Sequence, residues 1–201
     1  MAFSDFKTID QVIRQYPLQI RREQFLPDVS VPLPPLVLEN FNFSLQNQGE
    51  QESEVFFRES FIYPLLQEVW KRHARLKLWV NQKLEYDDVL QGEPDYFVAK
   101  QATHEVISRV VNKPLLAVAE AKRQDFTEGW GQCLAEMIAC QKVNADEDVT
   151  VYGIVTTGVL WEFGRLAQQV FTRDPRSFAL TDPQRVLGLL DFVFAECEKQ
   201  I

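Results

Sequence analysis

The sequence predicts an α/β protein with a central mixed β-sheet flanked by helices. Residues 96–98 alternate in side-chain character, and residues 115–119 form a short apolar run, so both segments are expected to be β-strands. A helical pattern of apolar residues covers residues 54–74, and another helix is expected to end near residue 142. Strands between helices of this length favour a sheet covered by helices.

Acidic residues lie at the ends of the two predicted strands. Asp95 directly precedes one strand and Glu120 directly follows the other, so pairing of the strands would bring both carboxylates to one edge of the sheet. Lys122 is two residues beyond Glu120, which places the two side chains on the same face of an extended chain. Two carboxylates beside an amine suit Mg²⁺, which takes one or two protein carboxylates and keeps several waters.

The order Pro94-Asp95, Glu120-Ala121-Lys122 and then a helix with Gln132 resembles the PD-(D/E)XK nuclease superfamily, which has the restriction-endonuclease-like fold. More narrowly, it is similar to the nuclease module at the N-terminus of type I restriction subunits and in related stand-alone bacterial proteins. The resemblance covers roughly residues 53–166. It implies that Asp95 and Glu120 bind Mg²⁺ or Mn²⁺, that Lys122 orients or activates the attacking water, and that Gln132 supports the site.

Residues 54–74 resemble the first core helix of that family, in which a Glu is followed four residues later by an Arg. Glu54 and Arg58 match these positions, and the resemblance implies Glu54 as a further candidate metal ligand. Alternatively, Glu54 stabilises the helix N-terminus and pairs with Arg58 one turn later. Ser53 is the expected N-cap, and Pro64 predicts a kink or break. The expected apolar face comprises Val55, Ile62, Leu65, Leu66 and Val69.

Two further features bear on the resemblance. Related nucleases often have a Tyr four residues after the helical Gln, whereas this chain has Glu136, so it departs from the second half of that motif at this position. The predicted turn at residues 156–158 joins two strands, as in the restriction-subunit modules. Trp161 and Phe163 on the second of these strands are expected to pack on the sheet rather than stack on a base.

Residues 1–52 are expected to form an N-terminal extension that packs on a nuclease-like core, residues 53–201, which ends in a helix. A short amphipathic helix is predicted within residues 5–16, extended or irregular backbone around the prolines at 27–35, and a loop at residues 46–53.

In the core, residues 76–86 predict the first strand and Asp87 with Asp88 a solvated turn. Edge strands are expected at 170–172 and 178–180. The final helix is expected to begin at Thr181 or Asp182, with Pro183 in its first turn. His73 and His104 are isolated in sequence, so neither is assigned to catalysis.

Composition limits the classes of function. The 201 residues have a formal net charge of −8, which excludes a general nucleic-acid coat, so any DNA-facing basic groove must be local. Cys133, Cys140 and Cys197 have neither a CxxC pattern nor zinc spacing and are expected to be buried small side chains. The first residues lack the apolar core of a signal peptide, and no apolar run approaches a membrane span, so a cytoplasmic protein without membrane contact is expected.

The resemblance to the PD-(D/E)XK nucleases implies Mg²⁺-dependent hydrolysis of phosphodiester bonds, with DNA as the expected nucleic acid. Two other interpretations stay open: a catalytically retired nuclease fold that acts as a protein-interaction or regulatory module, and the separated nuclease part of a restriction or defence system. A homodimer or a larger complex is compatible with either. The 201 residues contain no GxxxxGK[ST] phosphate loop, so an ATP-driven motor would be a different polypeptide.

Overall fold

A computed structural model describes residues 2–49, 52–102, 111–122 and 125–201. His104, most of the connection between the two central strands, and two residues of the predicted loop at 46–53 lie outside the described residues.

A mixed sheet of eight strands lies at the centre of the described chain, in the order β1-β9-β8-β7-β6-β5-β2, with β10 paired to β8. The β6–β7 and β1–β9 pairs are parallel and the others antiparallel. A separate two-stranded sheet joins β3 and β4. The strands are β1 (Gln19–Arg22), β2 (Leu76–Val80), β3 (Leu84–Glu85), β4 (Gln91–Gly92), β5 (Tyr96–Lys100), β6 (Leu115–Ala121), β7 (Val151–Thr156), β8 (Leu160–Ala167), β9 (Val170–Arg173) and β10 (Phe178–Ala179).

Helices cover both faces of this sheet, so the predicted α/β class with a mixed sheet flanked by helices is confirmed. One apolar cluster joins the sheet to α4 and α6, and a second joins it to α5 and the N-terminal segment. Among the described residues, no helix is both long enough and apolar enough to cross a bilayer. The helices are α1 (Ile9–Gln15), α2 (Pro35–Asn47), α3 (Glu54–Phe57), α4 (Tyr63–Trp70), α5 (Phe126–Asn144) and α6 (Pro183–Glu198).

The helix predicted over residues 54–74 is divided into α3, a π-helical segment at Arg58–Ile62, and α4. The break falls directly before Pro64, as predicted, because proline has no N–H for the helical ladder. The wider π-turn rotates the residues before it relative to those after it. Val55 is consequently 60% exposed, and its assignment to the apolar face was wrong. The helix also ends at Trp70, short of residue 74.

The irregular backbone that the prolines at 27–35 predict extends only to Pro34. Helix α2 begins at Pro35, because a proline at the first helical position loses no hydrogen bond. The helix buries Phe41 and continues to Asn47, into the predicted loop.

Two strand predictions also need correction. The strand expected over residues 76–86 stops at Val80, and Asn81 then adopts a left-handed conformation with φ of 47° before β3 enters the other sheet. Strand β9 is not an edge, because β1 pairs with it in parallel on its outer side. The final helix begins as predicted, at Pro183 with Asp182 as N-cap.

The N-terminal segment packs tightly against α5. Phe3, Phe6 and Val12 are buried in the same cluster as that helix. A Cβ on Gly131 would lie 2.5 Å from the backbone nitrogen of Thr8 and 2.6 Å from the carbonyl oxygen of Phe6. Glycine at this position therefore permits direct contact between the N-terminal backbone and the helix.

We expect Gly131→Ala to lower the free energy of unfolding by about 1–3 kcal/mol, because the added methyl group meets backbone atoms that cannot rotate away. The sign of the change in unfolding free energy is informative, because a Gly→Ala substitution inside an unobstructed helix stabilises the protein by up to about 1 kcal/mol. Urea denaturation of both proteins measures the difference. A more stable variant would contradict the close packing of the N-terminal segment.

Candidate active site

The pairing of β5 with β6 brings Asp95 and Glu120 to one end of the sheet. Tyr96 is opposite Ala119 in this antiparallel pair, so Asp95, one residue earlier, lies beside Glu120. The backbone N–H of Ala121 donates a hydrogen bond to Asp95 Oδ2 at 2.9 Å. The two carboxylates thus meet at the strand ends, as the sequence predicted.

Lys122 extends β6 by one residue and points its amine back along the strand. Its backbone N–H donates to the carbonyl of Thr156 on β7 at 2.8 Å, which keeps the chain extended. The Nζ atom lies 2.9 Å from Glu120 Oε1, and the two side chains are 19% and 3% exposed. Burial alone would lower the pKa of Lys122, but the charge and hydrogen bond of Glu120 raise that pKa overall, so the amine stays protonated.

Arg58, in the π-helical segment, reaches the other carboxylate. Its Nη1 lies 2.8 Å from Asp95 Oδ1, and its Nη2 donates to the side-chain oxygen of Asn81 at 2.8 Å. Arg58 therefore makes its ion pair with Asp95 rather than with Glu54. The negative charge of Glu54 raises the pKa of both Arg58 and Lys122, which places Glu54 within electrostatic reach of the cluster.

Helix α5 adds two polar side chains from above the sheet. Gln132 Nε2 donates to Glu136 Oε1 at 3.2 Å, and both side chains are buried. Gln132 is thereby linked to the carboxylates through Glu136. The helix approaches closely because Gly129 has no side chain: a Cβ there would lie 2.5 Å from Val155 and 3.1 Å from Lys122.

Burial and mutual repulsion perturb the carboxylates. Burial, and then the charge of Asp95, raise the pKa of Glu120 to about 7. The pKa of Glu136 is raised well above its usual range by burial and by Glu120. One oxygen of each, Oε2, is buried without a hydrogen-bond partner in the described part of the chain. The cluster thus contains more acidic groups than the two cations Arg58 and Lys122 neutralise.

Several other residues discussed in the sequence analysis have structural positions away from this cluster. His73 is held between carboxylates, with Nδ1 3.0 Å from Glu198 and Nε2 3.1 Å from Asp191, where α4 meets α6. Asp87 accepts hydrogen bonds from two backbone N–H groups of its own turn. Trp161 and Phe163 are buried in the sheet, as expected. The three cysteines are buried and free, and burial raises the pKa of each thiol.

Sequence reasoning missed three contributors to this cluster. The sequence suggests only Glu54, one helix turn away, as the partner of Arg58, whereas the Arg58 guanidinium pairs with Asp95. The sequence indicates that Glu136 shares a helix face with Gln132, but not that it is buried next to Glu120. No sequence signal marks Asn81, because its position depends on the turn after β2.

Comparison with known families and with curated proteins finds no family model and no curated protein that matches this chain. Across the described residues, no group of three or more His, Cys, Asp or Glu side chains is arranged to hold a metal ion. The function of this chain is consequently inferred from the chemistry of its Asp95–Glu120–Lys122 cluster.

We expect Glu136→Gln to stabilise the protein at pH 8 and to leave it nearly unchanged at pH 4.5. A carboxyl with a raised pKa in the folded state contributes its full stability below its unfolded pKa and loses it as pH rises through the folded value. Glutamine removes this loss, which is worth about 1.4 kcal/mol for each unit of raised pKa. It also keeps an acceptor for Gln132.

Thermal melts in EDTA across this pH range measure the difference, with Glu39→Gln on the exposed side of α2 as the control. A Glu136→Gln effect of equal size at both pH values would show that Glu136 does not titrate abnormally.

Proposed function

We propose that this chain hydrolyses phosphodiester bonds of nucleic acid, DNA in the first instance, by the metal-dependent chemistry of PD-(D/E)XK nucleases, and that its sheet is of the restriction-endonuclease-like type. The observation that supports the proposal best is the convergence of Asp95, Glu120 and Lys122 at one sheet end. The three residues occur in the order expected of such a site. Backbone pairing with neighbouring segments holds each of them in place, since Asn81 N–H donates to the Asp95 carbonyl, Glu120 pairs with β7 and Lys122 N–H donates to the Thr156 carbonyl.

The donor set fits Mg²⁺ or Mn²⁺. Among the described residues, Glu120 offers a buried oxygen without a hydrogen-bond partner. Burial and the charge of Asp95 raise the pKa of Glu120, and a bound cation would favour its ionised form. Asp95 lies beside it, and a hard cation of this kind requires only one or two protein carboxylates. When bound by Asp95 and Glu120, the metal would stabilise charge on the phosphate and favour hydroxide formation near neutral pH.

The protein side chains around the metal would position the reactants and balance charge. Lys122 is protonated, so it would hold the attacking water or a phosphate oxygen by donating hydrogen bonds, and it would not act as the base. Gln132 and Glu136 would position Glu120 from the helix side. Arg58 would orient Asp95 and balance its charge.

One observation favours a second function, that of a retired nuclease fold serving as an interaction or regulatory module. The Arg58 guanidinium is bonded to Asp95 Oδ1 and the Ala121 N–H donates to Oδ2, so both oxygens of this candidate ligand are already engaged. An active enzyme would have to release or share one of them, whereas a retired one would keep both contacts for stability.

The first functional test is cleavage. We expect the protein to cut DNA in the presence of Mg²⁺ or Mn²⁺ but not of EDTA, and Lys122→Ala to reduce the rate at least about a hundredfold, because it removes a positioned donor at the reacting phosphate. Lys142→Ala, at the exposed end of α5, is the matched control. A wild-type protein that is inert towards DNA and RNA with both metals would support the retired fold.

The second test needs no substrate. We expect Mg²⁺ or Mn²⁺ to raise the melting temperature of the wild type but not of Glu120→Gln, since glutamine cannot supply the anionic oxygen. The metal-linked stabilisation should reach about 2.7 kcal/mol at a hundredfold excess over Kd. Glu39→Gln again serves as the exposed control. If the metals shift all three proteins equally, Glu120 is not a ligand.

A further inference from the structure

Positive charge is concentrated in one short stretch of this acidic chain. Residues 71–83 contain five of the 21 Lys and Arg and no Asp or Glu, although the whole chain has a net charge of −8. These residues run from the C-cap of α4 through the turn after it and β2 to the turn that follows β2. The basic residues are Lys71, Arg72, Arg75, Lys77 and Lys83.

Most of these cations are already engaged. Lys71 pairs with Glu68, Arg72 with Asp191, and Lys83 with Glu85. The Arg75 guanidinium donates to the backbone oxygens of Glu198 and Ile201 at the C-terminus. Lys77 differs, because it makes no ion pair within the part of the chain that the structure describes. Its Nζ lies over two aromatic rings instead, 4.6 Å from the ring centre of Trp70 and 5.6 Å from that of Trp79.

Lys77 and these rings line a groove at the outer edge of the main sheet. Strand β2 ends the sheet order among the described strands, and a cavity of about 490 Å³ lies along it, with Tyr63, Lys77, Trp79 and Gln82 in its wall. Trp79 is stacked on Phe97 at 6.1 Å and Tyr63 on Tyr96 at 6.4 Å between ring centres. Inner rings thus hold Trp79 and Tyr63 in place on the two sides of the sheet edge.

The groove leads directly to the candidate active site. Asn81 follows the last residue of β2 and accepts a hydrogen bond from Arg58, which also binds Asp95. Lys77 is four residues earlier on the same strand, about 13 Å away at the usual rise of about 3.3 Å per residue. A bound strand that crosses the groove would therefore reach Asp95 within a few nucleotides.

We propose that this groove binds unpaired nucleotides of single-stranded nucleic acid and feeds them to the Asp95–Glu120 site. The inference depends on the proposed function, which makes nucleic acid the ligand. Aromatic faces beside a lysine suit single strands, because bases stack on rings only when they are unpaired and the cation contacts the phosphate. An extended peptide paired to the edge of β2 would use the backbone of the strand and would not require these rings.

The test is titration of a labelled single-stranded oligonucleotide of about 16 nucleotides, and of the matching duplex, into the full chain in EDTA. We expect tighter binding of the single strand. Lys77→Gln should weaken that binding several-fold and reduce the slope of log K against log salt by about 0.7, the value for one lost phosphate contact. Lys77→Arg should retain the slope, and Lys142→Gln should leave both quantities unchanged.

Tryptophan fluorescence gives a second readout. Trp130 and Trp161 are buried, whereas Trp70 and Trp79 are partly exposed, so quenching by bound bases reports on the groove. Trp79→Phe keeps a ring against Phe97 and should reduce the quenching. Equal affinity for duplex and single strand, or equal effects of Lys77→Gln and Lys142→Gln, would overturn the proposal. Displacement of the oligonucleotide by a polyglutamate peptide that binds more tightly would overturn it in favour of a peptide-docking edge.

Combining the binding experiment with the cleavage experiment distinguishes a failure of the groove proposal from a failure of the nuclease proposal. Lys77-dependent binding of single strands without cleavage in Mg²⁺ or Mn²⁺ would support the groove and refute the nuclease. Metal-dependent cleavage that requires Lys122, combined with binding insensitive to Lys77, would do the reverse.

Discussion

The antiparallel pairing of β5 with β6 is the constraint on which the candidate site depends. Its register sets Tyr96 opposite Ala119, and the hydrogen bond from Ala121 N–H to Asp95 continues the pairing beyond the last strand residue. A slip of one residue would turn the side chains of one strand to the opposite face and separate Asp95 from Glu120. The central position of β6, between β5 and β7, protects the register, because both neighbours and both apolar clusters would have to shift with it.

The buried carboxylates that this strand pairing brings together destabilise the folded state. Glu120 and Glu136 are buried with raised pKa values, and in the part of the chain that the structure describes each has one oxygen without a hydrogen-bond partner. An unpaired buried polar group destabilises a protein by about 1–3 kcal/mol, so such groups are expected at a site with a task rather than in an ordinary core. Arg58 and Lys122 offset part of this cost from two different elements, which links the stability of the first core helix to that of the sheet.

The surroundings of the site are built from segments far apart in sequence. The N-terminal backbone rests on Gly131 of α5, and the same helix approaches Lys122 through Gly129. On the other side, the π-helical segment turns Arg58 towards Asp95. Two small residues and one irregular helical turn thus control how closely the helices approach the carboxylates.

The sequence by itself determined the α/β class, the two central strands, and the shared face of Glu120 and Lys122, because strand periodicity and the position of charged residues at strand ends are local properties. It could not determine the partner of Arg58 or the contribution of Glu136. The partner of Arg58 depends on a π-turn that rotates the residues before it away from the expected helix face. The contribution of Glu136 depends on how closely α5 packs against the sheet. Likewise, the sequence predicts β9 as an edge strand, whereas β1, about 150 residues earlier in the chain, pairs with its outer side. Only the tertiary structure decided these points, since each is set by packing between distant segments rather than by local conformational preference.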